Sequence, residues 1–84
     1  MTDLVTLGQR LRHFRTSADL TLDQLGSAVG IAGSQLSLME NGKREPRLSL
    51  LQSIASALSI EVSQLLDPSP PSKRAALEIE LDRL

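Results

Sequence analysis

The sequence predicts an all-α fold, with five helices and one additional helix at the C-terminus. Apolar residues recur at steps of three and four along most of the chain, which is typical of helices that bury one face. No stretch alternates apolar and polar residues at every second position, as a half-buried strand would. With 84 residues, the chain has enough length for one small core and an extension. We therefore expect one domain at residues 1–67, and a proline-containing linker with a helix at residues 68–84.

The first helix is predicted at about residues 7–18. Leu11 and Phe14 continue an apolar stripe at helical spacing. Thr6 is followed three residues later by Gln9, which is the spacing of a capping box. In a capping box two side chains satisfy backbone N–H groups at the helix start, so we expect Thr6 to be the N-cap of this helix.

The second helix is predicted to begin at Leu22 and to end before Gly30. Thr21 and Gln24 have the spacing of a second capping box, and Leu25 continues the apolar stripe. Glycine is common just after a helix because it adopts left-handed backbone angles at no steric cost. Gly30 is thus expected to end the helix.

The third helix is predicted at about residues 33–41. Leu36 and Met39 form its apolar stripe, and Asn41 with Gly42 closes it. Asparagine and glycine are the residue types that best tolerate a positive φ.

Two further helices are predicted after a polar loop at residues 43–47. Pro46 disfavours helix in the residue before it, and helical spacing resumes from Leu48 to Leu58. A short fifth helix is expected to end at Asp67. Beyond it, three leucines lie on one face of a helix that ends without a capping signal: Leu77, Leu81 and Leu84. This apolar end leaves open that the native chain continues into a further region.

The composition argues against an enzyme. The chain has no cysteine and one histidine, His13, which excludes thiol chemistry, disulfides and histidine-based metal clusters. No serine is flanked by the glycines of a nucleophile elbow. No apolar run approaches the roughly 20 residues that a membrane helix needs. We predict a cytoplasmic protein with no enzymatic activity, no cofactor, no metal and no membrane partner.

The segment from Leu22 to Asn41 has the pattern of a helix-turn-helix. Its third helix has to cross the second at close range, so the residue after Leu25 should be small, and this residue is Gly26. Gly30 permits the tight turn between the helices. The apolar residues fix both helices to the rest of the bundle, and the outward side of the third helix is left free to enter a major groove.

Several motifs in the same order resemble the XRE-type family of helix-turn-helix proteins, which includes the phage lambda repressor and Cro. Outside the helix-turn-helix they are Leu7-Gly8-Gln9-Arg10-Leu11-Arg12, Glu40-Asn41-Gly42-Lys43-Arg44-Glu45-Pro46 and Ile54-Ala55-Ser56-Ala57-Leu58. The resemblance spans about residues 7–66. It implies a five-helix, lambda-repressor-like domain that binds double-stranded DNA in a sequence-specific way. A transcriptional regulator that binds an inverted repeat as a homodimer is the expected function.

The resemblance also implies which residues face DNA. Candidates for base contacts are Gly33, Ser34, Gln35 and Leu38, and candidates for backbone contacts are Ser37, Asn41, Lys43, Arg44 and Arg47. The amide of Gln35 suits the N7/N6 edge of adenine, and Leu38 suits a thymine methyl group. The alternative is that these polar residues are ordinary solvated positions. Two departures from the family pattern are Gly33, where several phage repressors have glutamine, and Leu22, where a polar residue often touches phosphate.

The charge distribution supports the backbone contacts. The net charge is −1, so no overall field attracts DNA. Residues 1–66 contain six basic side chains, and three of them lie within five positions at the proposed contact loop. A solvated loop whose charge Glu45 partly offsets is the alternative. We expect Arg10 and Arg12 to be solvated residues of the first helix, and at most one of them to reach the DNA backbone.

A pair of charged residues is expected to have a structural role. By resemblance, Arg15 and Glu40 form an ion pair between the first helix and the end of the third, and so orient the third helix. Phosphate contact by Arg15 is the alternative.

Two other functions remain open for this fold. One is a protein-interaction adaptor or an antitoxin-like partner whose C-terminal tail binds another protein. The other is the DNA-targeting N-terminal part of a larger enzyme or ligand-sensing regulator. The C-terminal leucines either pair with a second copy or pack back onto the core.

Overall fold

The computed structural model describes residues 3–66, and this part of the chain contains helices only, without strands. The helices are α1 (Leu4–Ser17), α2 (Leu22–Val29), α3 (Gly33–Glu40), α4 (Leu48–Ala57) and α5 (Val62–Leu66). The predicted all-α class and the five helices are confirmed. The predicted C-terminal helix lies outside the described residues. Within residues 3–66, no helix has the length and apolar character that a bilayer crossing requires.

Helix α1 begins earlier than its sequence pattern suggested. Its N-cap is Asp3, whose carboxylate Oδ1 accepts a hydrogen bond of 2.7 Å from the backbone N–H of Thr6. The predicted start at Thr6 is therefore wrong. Aspartate is one of the strongest capping residues, and its negative charge also interacts favourably with the positive end of the helix dipole.

Helix α2 begins and ends as predicted. The hydroxyl of Thr21 accepts from the N–H of Gln24 at 3.0 Å, and the Gln24 side chain accepts from the N–H of Thr21 at 2.9 Å. Gly30 ends the helix in a left-handed conformation with φ 81°. Of the two residues that close α3, Gly42 takes a positive φ of 72°, whereas Asn41 has φ −93°.

The core lies where the five helices meet. Helix α3 packs against α1 and α2, α2 against α4, and α5 against α1 and α4. The buried apolar residues are Leu7, Leu11, Leu25, Leu36, Met39, Leu51, Ile54, Ala55, Leu58 and Leu65. Phe14, Val29 and Ile31 pack at the edge of this cluster. Each of the five described helices thus contributes apolar residues to the core.

Gly26 is required to be small for a different reason from the one expected. A Cβ at this position would lie 2.5 Å from the carbonyl oxygen of Ile31, in the turn between α2 and α3. Real Cβ atoms do not come this close to backbone. The same Cβ would lie 3.3 Å from the backbone nitrogen of Gly33, so the close approach involves the turn and the first residue of α3.

Arg10 is buried, so the expectation that it is solvated is wrong. Its side chain is 3% exposed, and its Nε donates to the carbonyl oxygen of Gln64 at 2.5 Å. The guanidinium also lies 5.5 Å from the centre of the Phe14 ring, within the range of a cation–π contact. Arg10 thus links α1 to α5. Arg12 is exposed, as expected.

Candidate nucleic-acid interface

Helix α3 has one face in the core and one face toward solvent. Leu36 and Met39 are buried, whereas Ser34 is exposed and Leu38 is 38% exposed. Gln35 is half-buried at the side of this outer face. The side chains predicted to contact bases are thus accessible on a helix that the core holds in place.

The N-terminus of α3 departs from the prediction at Gly33. This residue is buried, and a Cβ on it would overlap the carboxylate of Asp23 in the first turn of α2. Gly33 therefore presents neither a side chain nor much surface to a base. Sequence reasoning missed Asp23, because its proximity to α3 depends on the angle between the two helices. The Asp23 carboxylate puts a negative charge beside the N-terminus of α3.

The loop after α3 presents its basic side chains to solvent. Lys43, Arg44 and Arg47 are all exposed. The loop is held at both ends, because the N–H of Lys43 donates to the carbonyl oxygen of Leu38 at 2.9 Å and Pro46 is buried. Three basic side chains therefore project from a fixed backbone next to the outer face of α3.

One contact joins the basic loop to the outer face of α3. The Nη1 atom of Arg44 donates a hydrogen bond to Oε1 of Gln35. Both residues also line a shallow groove of about 440 Å³ between α3 and the loop, together with the apolar side chains of Met39 and Leu50. Sequence reasoning assigned Gln35 and Arg44 to different tasks and had no signal that they touch.

The end of α3 is closed by Asn41. Its amide Nδ2 donates to the carbonyl oxygen of Ser37 at 2.8 Å. This bond uses one of the two amide N–H groups of an exposed side chain. Ser37 is half-buried on the same side of the helix end. The structure thus brings together two of the predicted backbone-contacting residues.

The structure also brings Arg15 and Glu40 together. Arg15 Nε lies 2.6 Å from Glu40 Oε2, and Nη2 lies 3.0 Å from Oε1, so the pair is bidentate. Arg15 Nη1 donates to the carbonyl oxygen of Leu20 at 2.8 Å. The side chains are only 12% and 5% exposed. The hydrogen bond to Glu40 raises the pKa of Arg15, so the guanidinium stays charged.

A known protein family matches this region of the chain. A family described as a helix-turn-helix domain matches residues 6–65, which include all the described helices except the first two residues of α1 and the last residue of α5. The immunity repressor protein of Bacillus phage phi105 is 36% identical over 62 residues, which cover 74% of this chain and 43% of the repressor. The regulator SinR of Bacillus subtilis, an HTH-type transcriptional regulator, is 32% identical over 73% of this chain and 56% of its own length.

Solved structures agree with these relatives. The restriction-modification controller protein C.AhdI from Aeromonas hydrophila superposes with a TM-score of 0.71 at 37% identity, over 74% of this chain and 94% of the controller. Part of the hydroxypropylphosphonic acid epoxidase from S. wedmorenis also superposes, with a TM-score of 0.74 at 25% identity, over 36% of the epoxidase. The fold therefore also occurs within a larger enzyme. The present chain spans about half the length of the curated relatives that it matches.

Proposed function

The chain belongs to the XRE-type helix-turn-helix family, and from this membership we propose that it binds double-stranded DNA in a sequence-specific way, as a transcriptional regulator. The observation that carries the proposal is the position of the basic loop. Three exposed cations stand beside the outer face of α3, in a chain whose net charge is −1. Local clustering of this kind supplies phosphate contacts where the overall charge does not.

In the proposed complex, α3 enters the major groove with its outer face toward the bases. Ser34 and Gln35 are the polar side chains that reach base edges, and Leu38 contacts a thymine methyl group. Gly33 makes no base contact in this complex, and its missing Cβ leaves room for the carboxylate of Asp23. Ser37 and Asn41 lie near the end of α3, where they face the DNA backbone.

Lys43 and Arg47 are proposed to bind phosphates. Both are exposed cations in the loop that follows α3, and neither packs in the core. Phosphate contacts set the position of a protein on the duplex but carry no sequence information. The pair would therefore contribute affinity that falls steeply with salt.

A two-fold dimer on an inverted repeat is the proposed assembly. Two recognition helices then lie about one turn of DNA apart, ~34–36 Å, and contact half-sites on one face of the duplex. The Leu77, Leu81, Leu84 stripe is the proposed contact between the two copies. A further C-terminal region or a protein partner remains compatible with this arrangement.

We propose that the domain acts by binding alone, without a cofactor and without catalysis. Curated relatives are named as regulators and repressors. The epoxidase resemblance concerns about a third of that enzyme. A transcriptional regulator has to have access to DNA, and this requirement agrees with the cytoplasmic location expected from the sequence.

Selection of bound duplexes from a random library tests the proposal directly. We expect enrichment of an inverted repeat, and the spacing of its halves would give the geometry of the assembly. Failure to enrich any duplex would contradict DNA binding. Retention of another protein by the same chain would then favour the adaptor function.

The salt dependence of DNA binding tests the phosphate contacts. We expect Lys43→Ala and Arg47→Ala each to weaken specific and non-specific duplexes alike, and to reduce the slope of log K against log salt by about one unit. Arg12→Ala removes the same charge from an exposed position on α1 and is the matched control. If all three variants lose affinity equally, the effect is one of total charge and the loop has no special position.

A further inference from the structure

The contact between Gln35 and Arg44 assigns a role to Arg44 that differs from a phosphate contact. We infer that the two side chains act as one unit that selects a guanine, and that Arg44 is a base-specificity residue. This inference rests on the proposed DNA binding. It concerns which base the interface accepts, which neither the family match nor the relatives' names state.

The polarity of the contact fixes the orientation of the Gln35 amide. A guanidinium has only N–H donors, so the atom of Gln35 that faces it must be the carbonyl oxygen Oε1. The amide nitrogen Nε2 then lies at the other end of the group. A glutamine free of this contact can rotate and offer either atom to a base.

This orientation disfavours adenine. Adenine presents an acceptor, N7, beside a donor, the N6 amino group, and a glutamine reads both by donating with Nε2 and accepting with Oε1. In the structure Oε1 already accepts from Arg44. The surface that Gln35 and Arg44 offer together therefore consists mainly of donors.

A surface of donors matches guanine. The major-groove edge of guanine carries two neighbouring acceptors, O6 and N7, and no other base has this pair. Nε2 of Gln35 can donate to one of them, and a second N–H of the Arg44 guanidinium can donate to the other. Adenine would instead place its N6 amino group against the N–H groups of Arg44, and only the second lone pair of Oε1, beside that guanidinium, is left to accept from it.

The position of Arg44 allows this role. Arg44 follows Lys43, whose backbone N–H donates to the carbonyl oxygen of Leu38, so the start of the loop is fixed at the C-terminal end of α3. Arg47 belongs to the same loop, is also exposed and lines the same groove, but no hydrogen bond joins it to the described side chains of α3. Arg47 is thus a matched control with the same charge.

Duplex selection with variants tests the inference. The base pair read by Gln35 is the one at which Gln35→Ala loses selectivity. At that pair we expect the parent chain to prefer G·C over A·T by about tenfold, the discrimination of one good bidentate contact. Arg44→Ala frees Oε1, so its preference should shift to A·T, whereas Arg47→Ala should keep G·C and weaken all duplexes alike.

Three results would overturn the inference while DNA binding stands. The parent chain could prefer A·T at the Gln35 pair, Arg44→Ala could keep the parental preference, or Arg47→Ala could shift it as Arg44→Ala does. By contrast, a parent chain that enriches no duplex contradicts the proposed function itself.

The contact can also be tested without DNA. The side-chain amide of Gln35 gives its own pair of signals in a ¹⁵N–¹H NMR spectrum. We expect these signals to move in Arg44→Ala and to stay in place in Arg47→Ala. Unchanged signals in Arg44→Ala would mean that the two side chains do not act as a unit, and would overturn the inference without reference to any operator.

Discussion

Single residues fix the C-terminal end of α3 in this domain. Arg15 binds Glu40 through two hydrogen bonds and the carbonyl oxygen of Leu20 through a third. Such a pair contributes little to the free energy of unfolding compared with apolar side chains in its place, because both charges lose their hydration on burial. Its value is geometric, since it allows one arrangement of α1 against the end of α3.

Removal of Glu40 should therefore be costly. Glu40→Ala leaves the Arg15 guanidinium mostly buried without its counter-ion, and we expect the free energy of unfolding to fall by roughly 3 kcal/mol. Urea denaturation measures this change. Glu45→Ala removes an exposed carboxylate five positions away and should change stability by no more than about 0.5 kcal/mol. Equal losses in the two variants would contradict an orienting role.

The N-cap of α1 makes the stability of the domain depend on pH in the acid range. The hydrogen bond from the Thr6 backbone N–H holds the pKa of Asp3 below its usual value of 3.8. Because the folded pKa is the lower one, the charge of Asp3 stabilises the fold above about pH 3.8, and this contribution is lost as the pH falls through the folded pKa.

Asp3→Asn tests this dependence. The parent chain should have a higher urea midpoint than this variant at pH 6, and the difference should shrink below pH 3.8. Gln9→Ala changes an exposed, uncharged residue of the same helix and should parallel the parent at every pH. A difference between parent and Asp3→Asn that does not vary with pH would exclude the charge as its source.

At the scale of elements, α1 is the support for α3. Gly8 lies directly against the carbonyl oxygens of Met39 and Glu40, and Gly42 lies against Val5. With the Arg15–Glu40 pair, these contacts hold the C-terminal end of α3 at three places along α1. The position of α3 therefore depends on α1, which carries none of the proposed base contacts.

Gly8→Ala tests this support. A Cβ at position 8 would meet the Met39 carbonyl oxygen at 2.6 Å, so the backbone of one helix must move. Alanine stabilises an isolated helix by about 1 kcal/mol relative to glycine, but overpacking costs about 1–3 kcal/mol. We expect a net loss in urea denaturation, with weaker DNA binding. Ser27→Ala, at an exposed helical position, is the control, and a Gly8→Ala variant as stable as this control would contradict the close approach.

The features that the sequence predicted correctly are those whose signals lie close together along the chain. The capping box of Thr21 and Gln24 and the left-handed Gly30 are set by residues within one turn, and both are confirmed. The start of α1 was missed because Asp3 and Thr6 are both good capping residues, and their order along the chain decides the outcome.

Long-range contacts could not be predicted in the same way. Arg10 and Gln64 are 54 positions apart, and a charged residue on a helix is usually solvated. The proximity of Gly8 to α3 and of Gln35 to Arg44 likewise follows only from the way the helices pack. At the interface, the sequence predicted most of the exposed residues, but not that Gly33 is buried, that Gln35 and Ser37 are half-buried, or which side chains touch.

At the scale of the whole molecule, one domain offers little surface to DNA. Its α3 has eight residues, and its outer face presents few side chains that reach bases. A single domain of this kind would discriminate poorly among the many sites of a genome. A second copy on an inverted repeat doubles the contacts, which is why we expect specific binding to require two chains.

Sedimentation of the whole chain, with and without an operator duplex, measures this requirement. The proposed pairing would extend over only about two helical turns, from Leu77 to Leu84, and isolated helices shorter than ~12–15 residues are marginal. We therefore expect weak self-association alone and two chains on a duplex with both half-sites. Leu81→Ser should weaken the second binding event, and Ser63→Ala, an exposed change in α5, should not.

The spacing of the half-sites separates a true dimer from two independent monomers. In a dimer the recognition helices are held about one DNA turn apart, so five additional base pairs between the half-sites would place them on opposite faces of the duplex. Affinity for the second chain should then fall sharply. Independent monomers would bind both duplexes equally well. That result, or a single chain bound to one half-site with no second copy, would contradict the dimer and leave the C-terminal leucines to pack against their own domain.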